Sequence, residues 1–375
     1  MNIEIKPLDT LFFRDGKPFS MGEETWADSN FPPHLSVIYG ALRTFCATRA
    51  GKEIPFIEVE EKMKDLVIKG LTFGIGDEVF LPMPLDFSEL KNKEEWQKQN
   101  EKNEKYYDVV RLNPIQNTIT SSHSKYQIPF LIQGDHDKFY ENIDNGLLSD
   151  SLLKNYLANE TSSVKIKKMT DYTVTEAKVG IGRDGLTRTT EEGKLYRVGM
   201  TRFKSFKDSS EKDRQLELFV RIEKQDLELS ELKESMVKLG GEGRLVSLDE
   251  REIMEVTIQP DEIILKKGYF KLYLATPAIF TNNSWFPDLS KAGINIKAEL
   301  VGAIIGKTKS IGGFDMAKRK PKNMYQVIPA GSVYLFKTEH SPEEIQALQG
   351  ISVSDQLPEQ GFGISYFGNF TPPKI

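Results

Sequence analysis

At 375 residues the chain exceeds the usual length of one domain, which predicts two packed modules or one module with large insertions. Its composition, with 39% hydrophobic and 28% charged residues, is typical of a globular protein rather than a disordered one. A single cysteine, Cys46, excludes an internal disulfide and a zinc site built from cysteines, and the net charge of −5 excludes a uniformly basic surface.

Membrane and export signals are missing from the sequence pattern. No apolar run approaches the roughly 20 residues that span a bilayer. The N-terminus alternates like a strand and lacks the basic flank and long apolar stretch of a signal peptide. We therefore expect a cytoplasmic protein without a membrane partner.

The N-terminal part predicts a strand, a loop and an amphipathic helix. Ile3 and Ile5 share one face of a strand that ends in a turn at residues 14–17. After a pair of prolines, which suit a helix start, apolar residues recur at helical spacing up to Gly51. These residues are Leu35, Ile38, Leu42 and Phe45. This order of elements is how a ferredoxin-like or RRM-like module opens.

The middle of the chain predicts mostly strands. Short apolar stretches at residues 65–75 and 78–85, broken by glycine and proline, suit two strands. Residues 91–105 are almost entirely charged or amide and suit an exposed helix or an insertion loop, whereas leucines at helical spacing predict a helix within residues 145–159. Two β-prone runs within residues 165–207 predict a long hairpin, with its strands joined at Glu191 to Lys194.

The last third of the chain predicts further strands and three helices. A strand at residues 215–223 precedes a predicted helix over residues 230–243, which ends in glycine as helices often do. From Gly268 onward strand patterns return, with short helices predicted at residues 298–306 and 342–350.

These patterns together predict an α+β fold of two ferredoxin-like (RRM-like) modules packed together, with a protruding β-hairpin (thumb) and insertions. The first module would cover residues 1–267 and carry the 91–105 insertion and the hairpin. The second would cover residues 268–375 and carry a loop rich in glycine and lysine.

Positive charge is concentrated in two segments. Residues 307–322 contain six lysines and arginines against Asp315 alone, a net charge of +5. Residues 178–207 contain eight lysines and arginines against three acidic residues, again a net charge of +5. A basic groove on an acidic protein can hold a phosphate chain while the remaining surface stays soluble.

Glycines and aromatic residues in these segments favour a binding role. Gly312 and Gly313 would let main-chain N–H groups approach phosphates, and Phe314 or Tyr196 would offer a face on which a base stacks. The alternative is a solvated face plus a flexible loop, and charge alone leaves this alternative open.

The sequence contains only weak motifs for catalysis, metal binding or cofactor binding. The four histidines lie outside metal-ligand spacing of one another, and the acidic run at residues 135–137 suits an exposed turn. The glycine-rich segments at residues 180–185 and 239–244 lack the lysine plus serine or threonine of a phosphate loop, so we expect turns there. We therefore expect no metal, no cofactor and no catalysis.

One alternative function is an endonuclease. His34 opens the first helix beside the turn at Arg14, where it could act as general acid or base in metal-independent cleavage of repeat RNA. A helix-start histidine that hydrogen-bonds the loop or a phosphate fits the same position.

Six motifs, taken in order along the chain, resemble a known family. They are PLDTLFFRDGKPF, FPPHLSVIYGALRT, VGIGRDGLTRTTEEGKLYRV, LGGEGR, IGGFDMAKRKPKNMYQVIPAGSVYLF and GFGISYFG. The chain resembles the RAMP-type CRISPR proteins and, within them, the third subunit of the type III-B Cmr effector complex, in the Cas-five group.

The resemblance implies a non-catalytic RNA-binding scaffold in an antiviral ribonucleoprotein. Such a subunit would grip the 5′ repeat-derived tag of the guide RNA, with no direct contact to DNA expected. It would bridge the large polymerase-like subunit to a backbone RAMP subunit. Carried onto this sequence, the resemblance implies tag contacts at Arg14, Lys17, His34, Arg43, Arg183, Arg188, Arg197, Lys307, Lys309, Lys318 and Arg319. With Gly312 and Gly313 these residues form the predicted RNA-binding set.

Overall fold

The computed structural model describes residues 1–14, 26–49, 65–91, 106–120, 127–134, 138–208, 210–223, 235–251, 265–281, 284–291, 293–315 and 320–373. Over these ranges the protein is a strand-rich α+β structure with mostly antiparallel sheets, which confirms the predicted class. None of the helices in these ranges is long and apolar enough to cross a membrane.

Two sheets carry most of the structure. The larger has eleven strands in the order β17 (Ser235–Lys238), β18 (Leu245–Glu250), β1 (Asn2–Pro7), β16 (Glu217–Glu223), β3 (Val67–Ile75), β4 (Glu78–Pro82), β10 (Gly146–Ser149), β11 (Ser163–Lys168), β6 (Tyr107–Arg111), β5 (Phe87–Lys91) and β9 (Phe139–Glu141). The second has four strands in the order β20 (Ala298–Ile304), β25 (Val333–Thr338), β19 (Tyr269–Leu274) and β26 (Ser365–Asn369).

Shorter strand groups and four helices complete the described structure. A three-stranded sheet has the order β12 (Thr173–Arg183), β13 (Thr190–Phe203) and β2 (Trp26–Asp28). The two-stranded pairs are β7 (Asn113–Thr120) with β8 (Gln127–Gln133), β14 (Phe206–Lys207) with β15 (Asp213–Arg214), β21 (Lys309–Ile311) with β24 (Tyr325–Val327), and β22 (Phe314–Asp315) with β23 (Lys320–Pro321). The helices are α1 (Leu35–Arg49), α2 (Asp150–Ala158), α3 (Met169–Tyr172) and α4 (Pro342–Gln346).

Long periodic patterns were predicted correctly. Helix α1 buries the four apolar positions on which its prediction rests, because they form one stripe at helical spacing. Helix α2 begins after a short strand and ends at Asn159, whose left-handed φ of 68° stops the helix. Ser341 caps α4 through a capping box with Glu344. The predicted insertion at residues 91–105 lies almost wholly outside the described residues.

Two predicted helices are wrong, because strand pairing decides the conformation of short apolar runs. Residues Ala298–Ile304 form β20, which pairs with β25 along its whole length. Residues Ser235–Lys238 form β17, in which Ser235 and Val237 are buried and their neighbours are exposed, a period of two. A short apolar run fits helical and extended patterns about equally, so a strand partner distant in sequence settles the choice.

The hairpin is shorter than residues 165–207, and its turn lies elsewhere than predicted. Residues Ser163–Lys168 pair with β10 and β6 in the large sheet, so the hairpin consists of β12 and β13. Its turn spans residues 184–189 and not 191–194, since the Asp184 carboxylate accepts backbone N–H groups of Leu186 and Thr187.

Two hydrophobic cores lie against the sheets. One packs α1 on the β1 side of the large sheet and also receives Ile311, Val327 and Phe362. The other packs α2 and strands from residues 79–166 against the four-stranded sheet. Both cores draw residues from each side of position 267, and the proposed division of the chain there stays a prediction.

Candidate nucleic-acid interface

Residues 307–327, which we call the basic arm, contain two short pairs of antiparallel strands that together make a β-ribbon. Strand β21 pairs with β24, and β22 pairs with β23 farther out. The root of the arm is fixed because Ile311 and Val327, at 5% and 4% exposure, lie in the core beneath α1. The arm therefore presents its outer residues from a firmly packed base.

The glycines of the arm serve its own packing. A methyl group added at Gly312 would lie 2.2 Å from the sulfur of Met324, so a larger residue there would force Met324 to move. Gly313 accepts a hydrogen bond from the backbone N–H of Lys322 at 2.9 Å. Direct contact of these glycines with phosphates stays a prediction.

Four lysines of the arm are exposed: Lys307, Lys309, Lys320 and Lys322. Among the residues that the structure describes, none of the four has an ion-pair partner. Lys320 and Lys322 were not in the predicted contact set, although the local charge count that identified the loop includes them. The predicted contacts Lys318 and Arg319 lie outside the described residues.

Three of the eight cations in residues 178–207 form ion pairs with described residues: Lys178, Arg202 and Lys207. Arg202 forms an ion pair with Glu176 across the two strands. Just beyond the hairpin, Lys207 pairs with Asp213 at 2.9 Å, while the Nζ of Lys204 donates to a backbone carbonyl at 3.2 Å.

Two hairpin arginines differ from their neighbours. Arg188 in the turn and Arg197 on β13 are exposed and have no ion-pair partner within the described part of the chain. Arg197 lies opposite Val179 on β12 and beside Trp26 on β2. A third predicted contact, Arg183, is the last residue of β12.

The turn of the hairpin is held by its own hydrogen bonds. The Asp184 carboxylate accepts the Leu186 and Thr187 N–H groups at 2.9 and 2.7 Å, and it also accepts the Thr187 hydroxyl. These bonds, chiefly those from Thr187, lower the pKa of Asp184. Arg188, with a left-handed φ of 57°, donates its backbone N–H to the Asp184 carbonyl at 3.0 Å.

Three aromatic residues bring the first turn, the start of α1 and the hairpin base together. The rings of Phe13 and Phe31 lie 6.4 Å apart, and those of Phe31 and Phe203 lie 5.3 Å apart. Arg14 follows Phe13 and is exposed, and its backbone forms an isolated antiparallel β-bridge with Ser29.

The remaining predicted contacts near α1 are less accessible. His34 is half-buried, and its carbonyl accepts the Val37 N–H at 2.8 Å. Arg43 is half-buried on α1, and Lys17 lies outside the described residues. The described positions of the predicted set thus lie near α1, along the hairpin as far as its turn, and on the arm. Phe203 at the hairpin base and Ile311 at the root of the arm belong to the same core.

Asp9 was not predicted, but it joins three separate parts of the chain. Its carboxylate lies 2.8 Å from an Arg244 terminal nitrogen, in the turn before β18, and 3.6 Å from the Lys178 Nζ on β12. The same Nζ donates to the Thr10 hydroxyl at 3.0 Å. The Thr10 backbone N–H, together with both cations, lowers the pKa of Asp9. Nothing local in the sequence signals this convergence.

The sheet faces do not provide a platform for bases. Sheet-face RNA recognition needs open aromatic residues, but Phe270, Leu272 and Tyr273 on β19 are 0–1% exposed. On β1, buried Glu4 faces Lys6 at 3.2 Å and Arg251 at 2.6 Å, an ion-pair network rather than a stacking surface. The arm and the hairpin are thus the stronger candidates for RNA contact.

The described part of this interface offers exposed cations. No group of three histidine, cysteine, aspartate or glutamate side chains suited to a metal occurs among the described residues. His136, in the predicted acidic turn, lies outside them. Exposed lysines and arginines on β-ribbons supply charge for phosphates without fixing a base sequence.

Comparisons with known proteins give a family and a fold. A chain in the cryo-EM structure of the type III-B Cmr-beta bound to cognate target RNA and AMPPnP, state 1, has a TM-score of 0.51 and 17% identity, with 93% of this chain and 88% of that chain covered. A chain in the Cmr-beta structure bound to cognate target RNA has a TM-score of 0.50 and 18% identity, with coverages of 89% and 86%. At this identity the likeness shows a shared fold. No curated protein matches the chain.

The family assignment rests on a match along the sequence. The model of the CRISPR-associated protein family (Cas_Cmr3) matches residues 3–370. Since this match covers nearly the whole chain, the protein belongs to the CRISPR-associated Cas_Cmr3 family, which confirms the resemblance indicated by the six motifs.

Proposed function

We propose that this protein is a non-catalytic RNA-binding subunit of a cytoplasmic type III-B CRISPR effector complex. In this role it holds the 5′ repeat-derived tag of the guide RNA. It also bridges the large polymerase-like subunit to the RAMP backbone, without contacting DNA directly. Family membership and the fold shared with chains of RNA-bound Cmr-beta complexes support the proposal.

The strand order supports two ferredoxin-like units. In chain order, β1, β3, β16 and β18 are the first to fourth strands of one unit, and the sheet arranges them as fourth, first, third and second. Strands β19, β20, β25 and β26 have the same arrangement in the other sheet. Helix α1 connects the first two strands of the first unit, and α4 connects the last two of the second.

The observation that carries the RNA-binding role is the set of exposed lysines on the basic arm that have no ion-pair partner in the described part of the chain. A cation already paired with a carboxylate must lose that partner before it can neutralise a phosphate, whereas an unpaired one binds directly. Arg188 and Arg197 extend the available positive charge to the hairpin.

The test is a salt titration of binding to single-stranded RNA that carries the repeat-derived tag. Changing the four arm lysines to alanine should flatten the salt slope by roughly 0.7 per lost phosphate contact and weaken binding about 600-fold near 0.1 M salt if all four contact phosphates. The variant combines Lys307→Ala, Lys309→Ala, Lys320→Ala and Lys322→Ala.

The matched control removes four exposed lysines from other elements: Lys165→Ala, Lys212→Ala, Lys297→Ala and Lys337→Ala. It has the same net charge and should keep most of the wild-type slope. Equal losses in both variants would show that only net charge matters. Competition with untagged RNA of equal length tests the preference for the tag.

The non-catalytic role has its own test. Repeat RNA incubated with the protein in chelator should stay intact. Metal-independent cutting that His34→Ala abolishes would replace a holding role with that of an endonuclease.

A further inference from the structure

The hairpin leaves the body of the protein at Lys178. On the body side, Val198 and Met200 on β13 are 6% and 2% exposed and pack against Phe12. Beyond this point Val179 is 61% exposed and Leu186, in the turn, is 96% exposed. Lys178 lies directly opposite Val198, near the end of this packed region, where Tyr196 also packs against the cluster and Arg197 pairs with Trp26 on β2.

The outer part of the hairpin is held together near its base and at its turn. Its two strands pair from Lys178 to Ile181 and again at Arg183, with a register shift between these positions, and the Asp184 carboxylate organises the turn through three hydrogen bonds. Tyr196 packs its ring over Gly180 on the opposite strand, where an added methyl group would lie 2.2 Å from the ring. A tilt of the outer hairpin about its point of exit is one movement that these contacts leave open.

Asp9 lies at that point of exit and ties it from two directions. Lys178 on the hairpin and Arg244 on the glycine-rich turn both reach its carboxylate, and Lys178 also donates to Thr10. The glycine-rich turn is itself fixed to the segment that follows β1, since Gly241 donates its N–H to the Phe12 carbonyl at 2.8 Å.

A small tilt at this position has a large effect at the turn. The five residues from Val179 to Arg183, the end of β12, span roughly 17 Å in an extended strand. A tilt of about 10° would therefore displace the turn that carries Arg188 by about 3 Å, well beyond the tolerance of a hydrogen bond to phosphate.

We propose that Asp9 is the positioning residue of the hairpin, and that its carboxylate fixes the angle at which Arg188 in the turn meets RNA. Asp9 touches no RNA in this role, because its charge repels phosphate. The expected effect on RNA binding rests on the proposed RNA-binding function. The effect of Asp9 on the orientation of the hairpin concerns the protein alone.

The effect on hairpin orientation is tested by pulsed EPR on the full chain without RNA. Spin labels are placed at Leu186→Cys and Met236→Cys, both exposed positions, in a Cys46→Ala background. Asp9→Asn should broaden the distance distribution between the labels, and Asp9→Glu should restore a narrow one. Because exposed ion pairs contribute little to stability, the variant is expected to fold.

Glu176→Gln is the matched control. It also neutralises an exposed carboxylate on an ion pair, but that pair lies within the hairpin and does not tie it to the body. The control should keep the wild-type distance distribution. An unchanged distribution in Asp9→Asn would overturn the positioning role.

The consequence is tested by RNA binding in a salt titration. Loss of preorganisation should weaken binding of Asp9→Asn about threefold to tenfold, with the salt slope unchanged because no phosphate contact is removed. Tighter binding with a steeper slope would overturn the proposal, since Asp9 would then be competing with phosphate for Lys178 and Arg244. If the wild-type chain binds no RNA, the proposed function fails, while the label distances still decide the role of Asp9.

Discussion

The basic arm and the hairpin segment carry the same net charge in sequence, +5 each, yet the structure makes them different. The described lysines of the arm have no ion-pair partner, whereas Lys178, Arg202 and Lys207 of the hairpin segment each contact a carboxylate. A charge count over a window therefore measures how many cations are present. It does not measure how many can bind a phosphate.

The largest expected effect comes from neutralising two cations in each region. Lys309→Gln with Lys322→Gln removes two available charges and should flatten the salt slope of RNA binding by roughly 1.4, with about a 20-fold loss of affinity near 0.1 M salt. Arg202→Gln with Lys207→Gln removes two paired charges, and affinity should fall less than about twofold.

Salt titrations by fluorescence anisotropy measure both double variants. The two have the same net charge, so each serves as the control for the other. Equal losses would break the comparison, because paired and unpaired cations would then contribute alike.

A smaller effect is expected from single arginines within the hairpin. Arg197→Gln removes an exposed, unpaired charge and should flatten the slope by roughly 0.7, about a fivefold loss near 0.1 M salt. Arg202→Gln, a few residues away on the same strand, should leave the slope close to its wild-type value. The reverse ranking would mean that RNA displaces Glu176 from Arg202.

The fold could be predicted where local pattern was sufficient. Helix α1 and the strands β3 and β4 follow from repeated apolar spacing and from a turn at Gly76, whose φ of 69° suits glycine. Strands β17 and β20 could not be predicted from local pattern, because their conformation depends on partners elsewhere in the chain. The turn of the hairpin was misplaced because the capping role of Asp184 was not recognised.

The sequence predicted where the cations of the candidate site are concentrated. It did not predict which of these cations form ion pairs. Local counting located the arm and the hairpin, including Lys320 and Lys322, which the predicted contact set omitted. The contact between Lys178 and Thr10 joins residues 168 positions apart, and the carboxylate of Asp9 lies beside it. Such pairs form only when the chain folds, so a window of sequence cannot reveal which cations are already engaged.

The smallest expected effect is a gain in RNA affinity, produced by freeing a hairpin cation so that it resembles the lysines of the arm. Glu176→Gln removes the partner of Arg202 and leaves that guanidinium exposed on the hairpin. The stability cost should be within about 1 kcal/mol, because the pair is exposed and screened by water. If the freed arginine lies within reach of the RNA, the salt slope should steepen by up to roughly 0.7 and affinity should rise a few-fold.

Glu223→Gln, which frees Lys69 on the large sheet by the same charge change, should leave the slope unaltered. Equal gains in both variants would trace the effect to net charge, whereas a gain confined to Glu176→Gln would show that pairing alone separates the hairpin from the arm.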